Sequence, residues 1–501
     1  MKPIKTPCLF AFLLGAVWAL APLAPVHAIE AKPNIVFVLF DDMGFGQPPS
    51  YNGGSALRTP NLDRLAQQGM RFTDAHSGAA VCTPTRYGVL TGRYPSRIGQ
   101  FGVLTTFSKP IIPAGRFTVA SLLKQHGYAT ACIGKWHLGL NWVDGKPGTE
   151  KEVTLGAKLT GGPTALGFDY FQGFTHARNI GTIIEQDEVV AHVEAVENQP
   201  RMIRKAVEWI GQQKQEKPFF LYFPLGIPHE PIVPAADYVG KSGAQDLVKK
   251  DPNYGDWLYQ GDAMLGQLLE ALERNHFADN TLVIATSDNG AEHRAYAPLR
   301  ESKRSIYEGG HRVPFIARWP GKVTPGSRND HTVCLTDLMA TAAEIIGAKL
   351  PANAGEDSVS LLAEFAGTAR NGGREATVHQ SAAGDLAIRQ GPWKAIFHTT
   401  GKRELFNLAE DLGETNDVLA ANRDVAARLT TLMQATIDRG RSTPGDAQKN
   451  DFDLSLPGAE GKAKRKRGVS SNSGKPESER RREMALAAMR LSTELADNHC
   501  R

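Results

Sequence analysis

The chain has 501 residues, 41% apolar and 22% charged. That balance excludes a disordered or membrane-embedded protein and allows one large domain with a smaller companion. The net charge is +4, but Lys2 and Lys5 supply two of those charges and residues 451–501, with 11 basic against 8 acidic groups, supply three more. The body between them is close to −1, which gives no indication of nucleic-acid binding.

Lys2 and Lys5 precede an apolar run from Cys8 to Leu23, and Val26-His27-Ala28 offers a cleavage site. Residues 1–28 read as a secretory signal peptide, too short and wrongly flanked for a stable span. No later stretch is long and apolar enough to cross a bilayer. The mature chain is expected to begin near Ile29 and to work in the periplasm or outside the cell. Cys8 leaves with the leader. Cys82, Cys132, Cys334 and Cys500 remain, and the sequence selects no disulfide among them.

Residues 33–42 carry six consecutive apolar side chains and predict a strand buried on both faces. It ends on Asp41 and Asp42. Thr59-Pro60 opens a helix through Asn61–Gln68, and Gly69 closes it. Cys82 precedes Pro84 and Arg86, which places it at or just before a helix start, where oxyanions are attracted and an arginine adds a fork for them. Phe117–Gln125 reads as a helix, Tyr128–Gly134 as a strand running into Lys135 and His137, and 141–165 as loop. Met202–Gln213 is an amphipathic helix. Pro218–Pro224 is a strand leading to His229, Asp256–Asn275 a long helix, and Thr281–Ser287 a strand ending on Asp288 and Asn289. Strands alternating with helices predict an α/β fold with a mostly parallel central sheet flanked by helices.

After about residue 375 the pattern changes. Runs near Asp385–Arg389, Trp393–Phe397 and Glu404–Leu408 predict a small antiparallel sheet. A helix over Asp424–Asp438 follows, with Val425, Leu429, Leu432, Met433 and Thr436 on one face. The expected organisation is a signal peptide over 1–28, a catalytic α/β domain over 29–375, a small C-terminal α+β domain over 376–445 and a basic, disordered tail over 446–501.

Ligands of parallel sheets bind beyond the carboxyl ends of the strands. Here those ends deliver Asp41, Asp42, Lys135, His137, His229, Asp288 and Asn289, with Cys82 and Arg86 nearby. Three carboxylates and an amide oxygen suit Ca²⁺ or Mg²⁺, and adjacent carboxylates would repel without one. Arg86, Lys135, His137, His229, Lys303 and Arg312 are candidates for a cationic surround matched to a tetrahedral oxyanion. The histidines offer proton transfer near neutral pH. The chemistry implied is hydrolysis of a sulfate or phosphate ester, and the residues alone leave the two undivided. Asp63, Asp74 and His76 read as helix-surface or loop polar groups. His176 and Arg178 are candidates for the edge of the substrate pocket, and polar loops over 141–200 and 231–256 for its specificity.

Cys82-Thr83-Pro84-Thr85-Arg86, followed by Leu90-Thr91-Gly92, resembles the C-x-P-S-R signature of type I, formylglycine-dependent sulfatases. Asp41-Asp42-Met43-Gly44, Gly134-Lys135-Trp136-His137-Leu138-Gly139, Ser287-Asp288-Asn289-Gly290, Lys303 with Glu308–Pro314, and Glu404–Leu408 resemble the family's other landmarks, in family order over about 33–440. The resemblance is to arylsulfatase and N-acetylgalactosamine-6-sulfatase-like members and implies the alkaline-phosphatase-like fold. It departs at Thr85, where the common motif has Ser.

The resemblance also implies the mechanism. A formylglycine-generating enzyme would oxidise Cys82 to formylglycine, and one hydroxyl of its hydrate, activated by the cation and Asp288, would attack sulfur. Asp41, Asp42, Asp288, Asn289 and the oxygen at position 82 would hold Ca²⁺, or Mg²⁺ in its place. Arg86 would anchor the hydrate, while Lys135 and Lys303 would neutralise sulfate. His229, aided by Lys303, would protonate the leaving alcohol, and His137 would take the proton from the second hydroxyl. The expected substrates are sulfated carbohydrates and aryl sulfates. The competing readings are a phosphodiesterase or phosphonate monoester hydrolase on the same fold, and a non-catalytic sulfated-glycan binder if Cys82 stays a thiol.

Overall fold

The computed structural model describes residues 32–244, 251–292, 294–369 and 373–456, so the leader, most of the basic tail and Cys500 lie outside the described residues. Strand β1 is Asn34–Asp41, buried along its whole length. Its alternation explains that placement: Ile35, Phe37 and Leu39 enter one core layer, and Val36, Val38 and Phe40 the other. Each such side chain contributes about 1.5–3 kcal/mol of burial.

The sheet around β1 has ten strands. They are β2 (Met70–Phe72), β3 (Ala129–Lys135), β4 (Tyr170–Phe174), β5 (Thr182–Glu185), β6 (Glu188–His192), β7 (Phe219–Pro228), β8 (Thr281–Ser287), β9 (Phe315–Arg318) and β10 (Ser327–Asn329), besides β1. Their spatial order is β10-β2-β9-β8-β1-β7-β3-β4-β5-β6. The central five, β8-β1-β7-β3-β4, are parallel, and β9 and β5 run antiparallel to their inner neighbours. Helices α1 (Pro60–Gln68), α4 (Ala195–Gly211) and α5 (Tyr254–Arg274) cover one face, and α2 (Cys82–Thr91), α3 (Val119–Gln125) and α6 (Leu338–Ile345) the other.

Local expectations changed where tertiary contacts intervene. Thr59 makes no capping bond to α1. Asp262 of α5 does that instead, accepting the Asn61 N–H at 3.1 and 3.0 Å and the Leu62 N–H at 2.8 Å. Gly69 is extended rather than left-handed, and it is needed because a Cβ there would stand 2.3 Å from the Ala317 carbonyl oxygen. Helix α4 begins seven residues earlier than predicted and holds Pro200 in its second turn. Segment 141–200 is not simply loop, since β4, β5 and β6 lie within it. Gln172 and Gly173 dilute the apolar run of β4, and β6 has a half-exposed face.

The second sheet is an antiparallel meander of β11 (Thr377–Gln380), β12 (Leu386–Gln390), β13 (Trp393–Phe397) and β14 (Arg403–Asn407). Helix α7 (Arg423–Asp438) buries Leu429, Met433 and Ile437 in this unit. Thr436, expected on that face, turns its hydroxyl back to the Leu432 carbonyl at 2.8 Å. Residues 446–456 are not part of a free tail. Leu454 and Leu456 are buried against the small sheet, and Asp451 pairs with Arg93 at 2.6 Å. Their two leucines are too few to register as a core pattern in the sequence. Cys82, Cys132 and Cys334 are free thiols, and no helix among the described residues is long and apolar enough to cross a membrane.

Candidate active site

Strands β1 and β8 pair in register from Asn34–Thr281 to Phe40–Ser287, so their polar tails leave the sheet side by side. The Asp288 N–H donates to the Phe40 carbonyl at 3.0 Å, and the Asp42 N–H donates to Asp288 Oδ1 at 3.1 Å. Asp42 has φ 71, a left-handed conformation that aspartate tolerates better than bulkier residues. The Asn289 amide donates to Asp42 Oδ1 at 2.7 Å, which leaves its own Oδ1 free. Asn289 Oδ1 and Asp41 Oδ1 are both buried and accept no hydrogen bond. An all-oxygen donor set with two orphaned oxygens fits a hard divalent cation.

The electrostatics agree with that fit. Burial, and then the Asp41 carboxylate, push the Asp288 carboxyl up to about 7 despite Arg86. Burial opposes ionisation of Asp41 too, but Lys135, His229 and Arg86 outweigh it and hold this carboxyl well below its usual range. Adjacent acids driven in opposite directions are what crowding without a counter-cation produces.

Cys82 is the first residue of α2, a helix buried along its full length. The Thr83 hydroxyl donates to the His137 carbonyl at 3.1 Å, which ties the helix start to the end of β3. Burial pushes the Cys82 thiol up to about 11, although Lys135 and Lys303 oppose this. A thiol so placed is protonated at neutral pH and is a poor nucleophile.

Arg86, whose place one turn into the helix suggests a fork for an oxyanion, does not line the cleft and is turned to the acids instead. It is fully buried, and its Nε and Nη2 donate to Asp288 Oδ2 at 3.2 and 2.7 Å. Nη1 donates to the Lys135 carbonyl at 3.1 Å, and Nη2 lies 3.4 Å from Asp41 Oδ1. The fork is engaged in fixing the two acids. Arg312 is likewise elsewhere: it pairs with Asp74 at 3.1 Å and Glu308 at 2.9 Å.

An open cleft of about 780 Å³ reaches Asp42, Cys82, Lys135, His137, His229 and Lys303. Lys135 Nζ donates to Asp41 Oδ2 at 2.5 Å, and Lys303 Nζ donates to Asp42 Oδ2 at 2.6 Å. Each ammonium keeps further N–H groups for a ligand. Burial works against the charge of Lys303, but Asp42 and Glu292 more than offset it and hold the pKa above its usual value. Glu292, 3.1 Å from Lys303, escaped the sequence reading although it stands three residues after Asn289.

The two histidines are held in complementary states. His137 Nε2 faces the Leu104 carbonyl at 3.1 Å, so Nε2 carries the proton and the buried Nδ1, which has no partner, is a bare lone pair. Burial, then Lys135, keep His137 well below its ordinary pKa and therefore neutral. His229 Nδ1 faces the Glu230 carbonyl at 2.6 Å, and its Nε2 lies 3.7 Å from Asp42 Oδ2. Burial lowers the His229 pKa and Asp42 opposes that shift.

Asp74 and His76 are not surface groups. Both are buried because the two-residue strand Ala75–His76 pairs with Val333–Cys334 beneath the small sheet. His76 Nε2 meets Asp74 at 2.9 Å, and its Nδ1 lies 3.1 Å from Nδ1 of His311. His176 and Arg178, by contrast, do line the cleft.

Thr85, the departure from the common motif, is buried and donates to the Ala79 carbonyl at 2.9 Å. Ser77 donates to the same oxygen at 2.7 Å. Thr85→Ser keeps the hydroxyl at position 85 and deletes one buried methyl, so it should cost about 0.8 kcal/mol and leave the extent of Cys82 oxidation unchanged. Thr85→Val should cost only about 1 kcal/mol. Thermal melts and peptide mass spectrometry check both.

A sulfatase family model matches residues 33–348, and a model described as the C-terminal region of N-sulphoglucosamine sulphohydrolase matches 292–441. The chain is 30% identical over 496 residues to an N-acetylgalactosamine-6-O-sulfatase of Bacteroides thetaiotaomicron, covering 81% of this chain and 94% of that protein. It is 33% identical over 441 residues to human arylsulfatase A, covering 80% and 82% of the two chains. A solved structure from work on the metabolism of multiple glycosaminoglycans by Bacteroides thetaiotaomicron aligns with TM-score 0.73 and 28% identity, covering 81% of this chain and 99% of that one. With the converging strand ends and the motif at Cys82, these matches establish that the chain belongs to the sulfatase family, hydrolases of sulfate esters.

Proposed function

We propose that this hydrolase is exported, matured by a formylglycine-generating enzyme at Cys82, and releases inorganic sulfate from sulfated carbohydrates and aryl sulfates with the help of Ca²⁺. The observation that carries this reading is the convergence of a thiol too poorly ionised to act as a thiolate with an oxygen-lined, orphan-bearing cluster and two ammonium groups on one cleft. Asp41, Asp42, Asp288 and Asn289 would hold the cation, which supplies Lewis-acid charge beside position 82. Formylglycine there supplies a hydrated aldehyde with two hydroxyls on one carbon, one for attack on sulfur and one for releasing sulfate.

The chain's own side chains do the rest. Lys135 and Lys303 stabilise the charge on the sulfate oxygens. His229 Nε2 hands its proton to the departing alcohol oxygen, and binding of the anionic ester beside it favours the protonated ring that this requires. His137 Nδ1 accepts a proton. Arg86 acts as a positioning residue by fixing Asp288 and Asp41.

Chelation tests the cation. Ca²⁺ at a hundredfold excess over its Kd should add about 2.7 kcal/mol of stability, lost on dialysis against chelator together with sulfate release. An unchanged melting temperature would remove the cation from this site. For the reaction itself, matched aryl sulfates and aryl phosphate diesters should be compared alongside a panel of sulfated mono- and disaccharides. Sulfate release should dominate, and a faster diesterase rate would overturn the assignment.

A further inference from the structure

We infer that the cleft selects substrates bearing a second anionic group, a carboxylate or another sulfate, beside the ester that is cleaved; this rests on the sulfate-ester reading above. The cleft is much larger than one sulfate, and among the described residues no Phe, Tyr or Trp lines it. Ring stacking on aromatic side chains, a usual source of grip in small-molecule sites, is therefore missing from its walls. Charge remains. Lys135 and Lys303 already face carboxylates, and Arg304 on the same wall as Lys303 is tied to Glu292. Lys151 and Arg178 also line the cleft, both are exposed, and neither side chain takes a hydrogen bond or ion pair among the described residues.

The backbone segments that carry these two cations are joined by a buried platform. Thr106 is 1% exposed. Its hydroxyl donates to the carbonyl of Glu150, the residue before Lys151, at 2.6 Å, and its N–H donates to the Glu150 carboxylate at 3.0 Å. Because that hydroxyl proton is engaged, His176 Nε2–H donates to Thr106 Oγ1 at 3.0 Å. His176 Nδ1 then accepts the Arg178 N–H at 3.2 Å. One threonine thus anchors both cation-bearing loops, and His176 in turn stacks on His137, 5.4 Å between ring centres. The loop Gly102–Leu104, which also lines the cleft, brings no charge, and Val103 is 49% exposed there. The arginine fork takes carboxylate or sulfate oxygens in pairs.

The test compares kcat/KM on three matched disaccharides carrying one sulfate, one sulfate plus a carboxylate, and two sulfates, with an aryl sulfate that carries no second charge as reference. The wild-type enzyme should prefer one or both dianionic substrates at least tenfold, with the difference in KM, and the preference should shrink as salt rises. Which dianion gains identifies the second group. Lys151→Gln with Arg178→Gln should collapse the preference ratio towards one, Arg178→Glu should invert it, and Arg178→Lys should retain most of it. Equal wild-type rates on all three sugars, or a ratio that the variants leave intact, would overturn the inference while leaving the sulfatase reading standing. Failure to cleave even the aryl sulfate would instead count against the sulfatase reading itself.

Discussion

Cys82→Ala is expected to lower kcat for sulfate release by a factor on the order of 10⁵–10⁶, the loss seen when a hydrolase is stripped of its nucleophile. The substitution deletes one buried sulfur from the start of α2 and leaves every charged pair around it in place, so the fold should survive. Cation-dependent melting separates the two effects: the variant should keep a Ca²⁺ stabilisation through Asp41, Asp42, Asp288 and Asn289, smaller than that of the wild type for want of the oxygen at position 82, while losing turnover. Cys82→Ser is the sharper variant. It retains one hydroxyl next to the cation cluster but has no second one, so it should take up one sulfate group per chain as a stable sulfate ester on that hydroxyl, read as a burst of one equivalent of the alcohol with no inorganic sulfate released. In the wild-type protein, the peptide spanning residue 82 should carry an aldehyde, trapped by a hydrazide probe. Full turnover by protein whose Cys82 is an intact thiol throughout would defeat the proposed chemistry.

What the sequence made legible follows from how far each feature reaches. The apolar run of β1 and the acids at its end are local, and so is the ladder of parallel strands whose carboxyl ends supply the polar groups. These were readable from order and composition. The task of Arg86 was not, because its partner Asp288 lies 202 residues away and the motif says only that an arginine stands one turn into a helix. Asp74 and His76 were misread for the same reason. Nothing near them in sequence shows that a two-residue strand carries them under the small sheet. Gly290 and Gly309 illustrate the middle case. Both glycines belong to recognisable motifs, but only the fold shows why: a Cβ on Gly290 would stand 1.8 Å from the Gly309 carbonyl oxygen, and the Gly290 N–H donates to the Gly310 carbonyl at 2.9 Å. The segment that carries Asp288 and Asn289 is thereby pressed against the turn Glu308–His311.

That turn leads to the second large effect. Lys394→Met is expected to destabilise the protein by about 3–5 kcal/mol, because it strips a fully buried ammonium from between two carboxylates. Lys394 Nζ lies 3.0 Å from Glu308, 2.7 Å from Glu414 and 3.1 Å from His311 Nε2. Glu308 keeps Arg312, but Glu414 loses its only ion-pair partner among the described residues. Since Lys394 reaches across from β13 to the turn that braces Asp288–Gly290, the variant should also bind Ca²⁺ more weakly, a consequence that a merely local packing defect would not have. The proton on Glu414 gives a control. Burial, and then the Glu308 charge, push its carboxyl up to about 7 from an ordinary 4.5, against the pull of Lys394. The folded state therefore favours the protonated form. This contribution to stability is complete below pH 4.5, declines as pH rises, and is lost once pH passes about 7. Glu414→Gln mimics the protonated side chain, so it should flatten that decline and at pH 8 be at least as stable as the wild type. Melts across pH 4.5 to 8 for both variants decide the matter. Parallel losses at every pH would mean that the ammonium and the carboxylate are merely packed side by side, whereas opposite outcomes at pH 8 would show one buried cation shared between two acids, a link from the small sheet to the cation cluster of the active site.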